Sequence, residues 1–136
     1  MKSNHIFRVY ADEWRNVFHS FVEVRFFGSR VEMHADMIVQ CYEVSTDVAG
    51  QCSGVAHYNK SGRLTGKFAV MWLNAGDVRA NPAEIVSHEC IHAAMRHITN
   101  RRVDLSKIEG EEALCYTAGS LVRQINNKLH KIGIFA

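Results

Sequence analysis

With 136 residues, 47% of them hydrophobic and 22% charged, the chain is sized and composed for one globular domain with a single core. A formal charge of only +2 gives no reason to expect a nucleic acid or an acidic membrane as partner. No run approaches the roughly twenty apolar residues of a membrane span, and the opening residues do not form a secretory signal, so the expected compartment is the cytoplasm.

In chain order, residues 5 to 10 alternate in character and predict a strand. Trp14, Val17, Phe18 and Phe21 recur at helical spacing and predict a short helix over Asp12 to Phe21, followed by a strand at Val22 to Phe26. Met33 to Val44 reads as a strand centred on Met37-Ile38-Val39. Asp47 to Gly66 is rich in Gly, Ser, Asn and Thr and reads as loop, with Asn59 to Gly62 at a tip. Lys67 to Leu73 is the clearest strand, and Asn74-Ala75-Gly76-Asp77 ends it. The four cysteines, Cys41, Cys52, Cys90 and Cys115, include no CxxC pair and are expected as thiols, a Cys41–Cys52 bridge being open only to a secreted chain.

Asn81-Pro82-Ala83-Glu84 is a helix start, with Asn at the N-cap, Pro at the first helical position and Glu at the third. The run from Glu84 to Arg96 lacks Gly and Pro. It is apolar on most sides, as expected of a helix crossing the protein's centre. On it lies His88-Glu89-Cys90-Ile91-His92. Helical positions four apart differ by about 40° in direction and about 6 Å along the axis, so the two imidazoles can point at one metal ion. Glu89, about 100° away, flanks the ion where a base must sit to take a proton from a metal-bound water. A buried helix with two core histidines is the bland alternative. It leaves two imidazoles and a carboxylate without anything to offset their burial.

Catalytic zinc sites use three protein ligands. Downstream, Glu109-Gly110-Glu111-Glu112 opens a second helix running to about Lys131, with Leu114, Ala118, Leu121, Ile125 and Leu129 on its inward face. A helix N-terminus favours carboxylates without any metal, so the third ligand stays open among Glu109, Glu111 and Glu112 on this ground alone.

HExxH followed by Glu112-Ala113 on the next helix resembles the gluzincins, the thermolysin-like zinc metallopeptidases. It also resembles short HExxH domains of the ImmA/IrrE type and metallopeptidase-like proteins of phages and prophages. The likeness covers about residues 67 to 125. It implies one small α+β, zincin-like domain over residues 1 to 136, with a short, mostly antiparallel sheet packed on the HExxH helix and a second, C-terminal helix. It implies Zn2+ held by His88, His92 and Glu112, the Glu standing 112 − 92 = 20 residues after the second His. Glu89 is then general base in hydrolysis of a peptide or protein substrate. It further implies that the strand before the HExxH helix borders the cleft and pairs with an extended substrate, although residues 67 to 73 read at least as well as a plain interior strand.

The family's Asp, four residues after the third ligand, is Tyr116 here, so Asp104 or a backbone carbonyl must orient the first His instead. Tyr116, one turn after Glu112, is the candidate oxyanion donor, with Arg123, His57 and Tyr58 behind it. Mn or Fe can occupy the same two-His-one-carboxylate set. The competing reading is a catalytically weak or inactive zinc-binding protein of metallopeptidase fold, acting as a regulator or protein-binding module. Tyr116 in place of Asp favours it. Glu89 argues against it, because a purely structural zinc has no use for a carboxylate there.

Overall fold

The structure is a computed structural model that describes residues 4–40, 48–55, 60–62 and 65–135. It is an α+β fold built on a four-stranded sheet in the order β1-β2-β4-β3. The strands are β1 (His5–Tyr10), β2 (Phe21–Phe27), β3 (Gly50–Gly54) and β4 (Lys67–Asn74). β1 and β3 run antiparallel to their neighbours, and the central pair β2–β4 is parallel. The parallel crossover is spanned by helix α1 (Arg30–Val39) and then β3. Helices α2 (Ala75–Ala80), α3 (Pro82–Asn100) and α4 (Ile108–Lys131) follow β4.

The sheet is covered on both faces. Val22, Val24 and Phe26 of β2 and Ala69, Met71 and Leu73 of β4 pack on Val86, Cys90, Ala93 and Ala94 of α3 and on Leu121, Ile125 and Leu129 of α4. The other side chains of β4, Val70 and Trp72, meet Met33 and Met37 of α1. Burial on both faces explains why β4 reads as a continuous apolar run. Trp72 Nε1 and the Arg25 guanidinium both donate to Asp36, at 2.9 Å and 2.6 Å, and fasten α1 to the sheet. Among the described residues, no helix is long and apolar enough to cross a membrane.

Three expectations change. Met33 to Val39 is helix, not strand: Ser29 caps α1 by accepting from the Glu32 N–H at 3.2 Å, and Met33 and Met37 form its buried stripe one turn apart. Residues 41 to 44 of that expected strand lie outside the described residues. Asp12 to Phe21 is not a helix. A 3-10 turn at Glu13–Arg15 stops at Asn16, which adopts φ 59°, and Phe21 is taken into β2 opposite Tyr10. Asp12 is buried and faces His97 Nε2 at 3.3 Å and Arg101 at 3.4 Å, so tertiary contacts outweigh the helical spacing. Gly50–Gly54, expected as loop, is the outer strand β3; β4 lies between β2 and β3, the interior-strand reading of residues 67 to 73 and not the cleft-edge one.

Candidate metal centre

α3 begins where expected, with Pro82 in its first turn after Asn81, although the Asn81 side chain makes no capping hydrogen bond. Its inward face is Val86, Glu89, Cys90, Ala93, Ala94, His97 and Ile98. His88, Ile91, His92 and Met95 are exposed on the other side, so the helix lies against the core and does not cross it.

The two imidazoles converge as the four-residue spacing requires. His88 Nε2 and His92 Nε2 are 3.2 Å apart, and the rings are nearly perpendicular at 73°. Two nitrogens on one tetrahedral zinc, each at about 2.05 Å, are about 3.3 Å apart, so the separation fits a shared ion. One ligand atom from each of His88, Glu89 and His92 falls within 4.8 Å of the others, and no other His, Cys, Asp and Glu trio among the described residues does so.

Glu89 is 5% exposed. Burial pushes its carboxyl up to about 7, against a smaller opposing effect of His88. A carboxyl poised near neutrality can both accept and return a proton under ordinary conditions. Its side chain lies against β3. A Cβ at Gly50 would stand 3.2 Å from Glu89 Cγ and Oε2 and 3.1 Å from the Trp72 carbonyl oxygen. The register puts Gly50, Cys52 and Gly54 opposite Leu73, Met71 and Ala69, on the face turned to α3. Small residues at these alternate positions let the helix close on the strand. Asn74 fixes the start of β3: its Nδ2 donates to Ala49 O at 3.0 Å, while its Oδ1 caps α2 by accepting from Asp77 N at 3.0 Å. A cavity of about 270 Å³ opens between Ala49, Gly50, Ile85, His88 and Glu89.

The other predicted residues fall elsewhere. Glu109, Glu111 and Glu112 are exposed at the start of α4, and none belongs to the His88–Glu89–His92 group. Tyr116 stacks on Trp14 at 5.1 Å, and Trp14 Nε1 donates to Thr117 Oγ1 at 3.3 Å, which ties the 3-10 turn to α4. Asp104 accepts from the Ser106 N–H and hydroxyl at 2.9 Å and 2.7 Å, an arrangement that shapes the turn before α4. Arg123 pairs with Glu13. His57 and Tyr58 lie outside the described residues, as does Cys41, whereas Cys52, Cys90 and Cys115 are free thiols.

Sequence reasoning missed β3 and its role. The pattern Gly50-x-Cys52-x-Gly54 is a period-two row of small residues, but Gly is depleted in strands and the segment therefore reads as loop. No family model matches the chain, and no curated protein or solved structure shows significant similarity to it.

Proposed function

We propose that this protein is a small zinc-dependent peptide-bond hydrolase of zincin-like fold. The observation that carries the reading is the convergence of His88 and His92 at 3.2 Å, with a buried carboxylate from the intervening turn beside them. Two neutral imidazoles and a carboxylate are a donor set suited to zinc. Glu112 is the proposed third ligand, with Glu109 and Glu111 as its alternates. Zinc held there would supply Lewis acidity, making a water acidic enough to attack near neutral pH and polarising the scissile carbonyl.

The chain's own residues supply the rest. Glu89 accepts the proton of the attacking water and delivers it to the leaving amine, a task worth roughly 10²- to 10⁴-fold. Gly50 and Asn74 position Glu89 by holding β3 against α3. The cavity bounded by Gly50 and His88 lies beside the outer strand, which supports an extended peptide lying along β3 in place of β4. The free thiols of Cys52, Cys90 and Cys115 accord with a reducing, cytoplasmic setting.

The test is cleavage of a mixed peptide pool by zinc-loaded wild type and by Glu89→Gln. The reading expects new termini from wild type and at least a hundredfold less product from Glu89→Gln. Zinc-loaded wild type that cleaves nothing would leave the second reading, a zinc-binding regulator or protein-binding module. Ile91 and Met95, 53% and 38% exposed beside the imidazoles, are the observation that favours it.

A further inference from the structure

A second cavity, of about 640 Å³, lies at the other end of β3, where Gly54, Lys67, Phe68, Arg96 and Arg101 line it. Its charge is positive. Arg101 is matched by Asp12 at 3.4 Å and Lys67 by Glu23 at 3.6 Å, but no carboxylate among the described residues pairs with Arg96. The Arg96 side chain lies against the Gly54 backbone: a Cβ at Gly54 would stand 2.2 Å from Nε and 2.6 Å from Cζ. The third inward-facing small residue of β3 thus makes room for a guanidinium, as the first makes room for the Glu89 carboxylate.

The two cavities are the two ends of one junction. From Glu89 to Arg96 is seven residues of α3, about 10 Å at 1.5 Å per residue. From Gly50 to Gly54 is four residues of β3, about 13 Å at 3.3 Å per residue. A peptide lying extended along β3 advances by the same step, so three to four of its residues separate a bond at Glu89 from a group at Arg96.

We infer that the Arg96 cavity is a carboxylate-binding subsite, taking an acidic side chain or the terminal carboxylate of a peptide three to four residues from the scissile bond. As a specificity element this rests on the hydrolase reading; as an anion site it is readable by binding alone. Arg96 presents a planar pair of N–H donors matched to a carboxylate, and among the described residues no acidic side chain lines the cavity beside it. Asp12 and Glu23 are occupied by their own partners.

The experiment is a backbone-amide NMR titration of the full chain with blocked alanine tetrapeptides that carry a terminal Glu, a terminal Gln or a free terminal carboxylate. A short oligothymidylate serves as the competing polyanion. The expected result is about tenfold tighter binding of a carboxylate-bearing peptide than of the Gln peptide, with shifts centred on Gly54 and Arg96. The Glu and free-carboxylate peptides separate the two sources. Arg96→Gln removes the tenfold preference, Arg96→Lys keeps part of it, and Gly54→Ala weakens it by displacing the guanidinium without removing the charge. Equal binding of Glu and Gln peptides, no binding at millimolar concentration, or a stronger response to oligothymidylate overturns the inference. Cleavage without an acidic preference refutes the subsite and leaves the hydrolase standing. Acid-selective binding by a zinc-loaded protein that cleaves nothing keeps the subsite and removes the hydrolase.

Discussion

Replacing Gly50 by Ala tests whether the strand holds the base. The new methyl would stand 3.1 Å from the Trp72 carbonyl oxygen and 3.2 Å from two atoms of Glu89, closer than ordinary van der Waals contact. Neither neighbour yields readily, because one is backbone of an interior strand and the other a buried side chain on a packed helix. Overpacking of this kind costs about 1–3 kcal/mol, and the gain from removing a strand glycine returns about 0.5–1 kcal/mol. The net is a loss centred on about 1 kcal/mol, within a range of about 0–2.5 kcal/mol. At about 2.1 cal/mol/K per residue, 136 residues give an unfolding entropy near 0.29 kcal/mol/K, so Tm falls by about 4 °C at the centre of that range. Glu89 shifts by a few tenths of an ångström, enough for about a tenfold drop in peptide turnover. The assay is thermal denaturation of Gly50→Ala, Glu89→Ala and the double variant, with turnover measured on the first. The cost of Gly50→Ala should shrink by at least half in the Glu89→Ala background. Equal costs in both backgrounds would refute the claim that Glu89 rests on β3.

Burial alone would raise the Asp36 carboxyl, but hydrogen bonds from Arg25 and Trp72 outweigh it and hold the group below its ordinary 3.8. The stability it adds is therefore complete above about pH 4 and is lost as pH falls through the lower folded value. Asp36→Asn should cost about 2 kcal/mol by urea denaturation at pH 7, and the cost should shrink as the pH falls below about 4; a cost that does not fall with pH would count against the pairing. Asn74→Ala should cost about 1 kcal/mol through the lost α2 cap and should also increase amide exchange at Ala49 and Gly50, and unchanged exchange there would contradict the anchoring role. Trp14→Ala and Tyr116→Ala should each cost about 1–2 kcal/mol non-additively, whereas Tyr116→Phe should leave stability unchanged, so that any loss of turnover in Tyr116→Phe reports on its hydroxyl. Zinc at a hundred times its dissociation constant should raise Tm of the 136-residue wild type by about 9 °C and have no effect on His92→Ala.

The parts of this architecture that announce themselves in the chain are those governed by local chemistry. β4 is a continuous apolar run, α3 opens on Asn81-Pro82, α4 repeats its leucines and isoleucines at helical steps, and all three stand where those signals put them. The pairing of His88 with His92 follows from helical geometry alone and is met at 3.2 Å. The remaining elements depend on partners distant in the chain. Met37-Ile38-Val39 has strand-like side chains, yet Ser29 and Glu32 cap a helix there and Met33 and Met37 find a buried face on the sheet. Trp14 to Phe21 has helical spacing, but Asp12 is claimed by α3 and Phe21 by β1. β3 carries almost no side-chain signal because its function is to be small. Glycine is unfavourable in a strand by propensity and favoured here by the close approach of Glu89 and Arg96. Tyr116 was legible as a residue near Glu112 on one helix face; its stacking partner, about a hundred positions earlier, was not.

The measurement that bears most directly on the central claim is elemental analysis of the full chain purified without chelators, for wild type, Glu89→Gln, His92→Ala and Glu112→Gln. The account predicts about one zinc per chain in wild type and in Glu89→Gln, and loss of the metal in His92→Ala and Glu112→Gln. Wild type without metal, or His92→Ala retaining it in full, would contradict the account and leave the two imidazoles as an exposed pair on an ordinary helix.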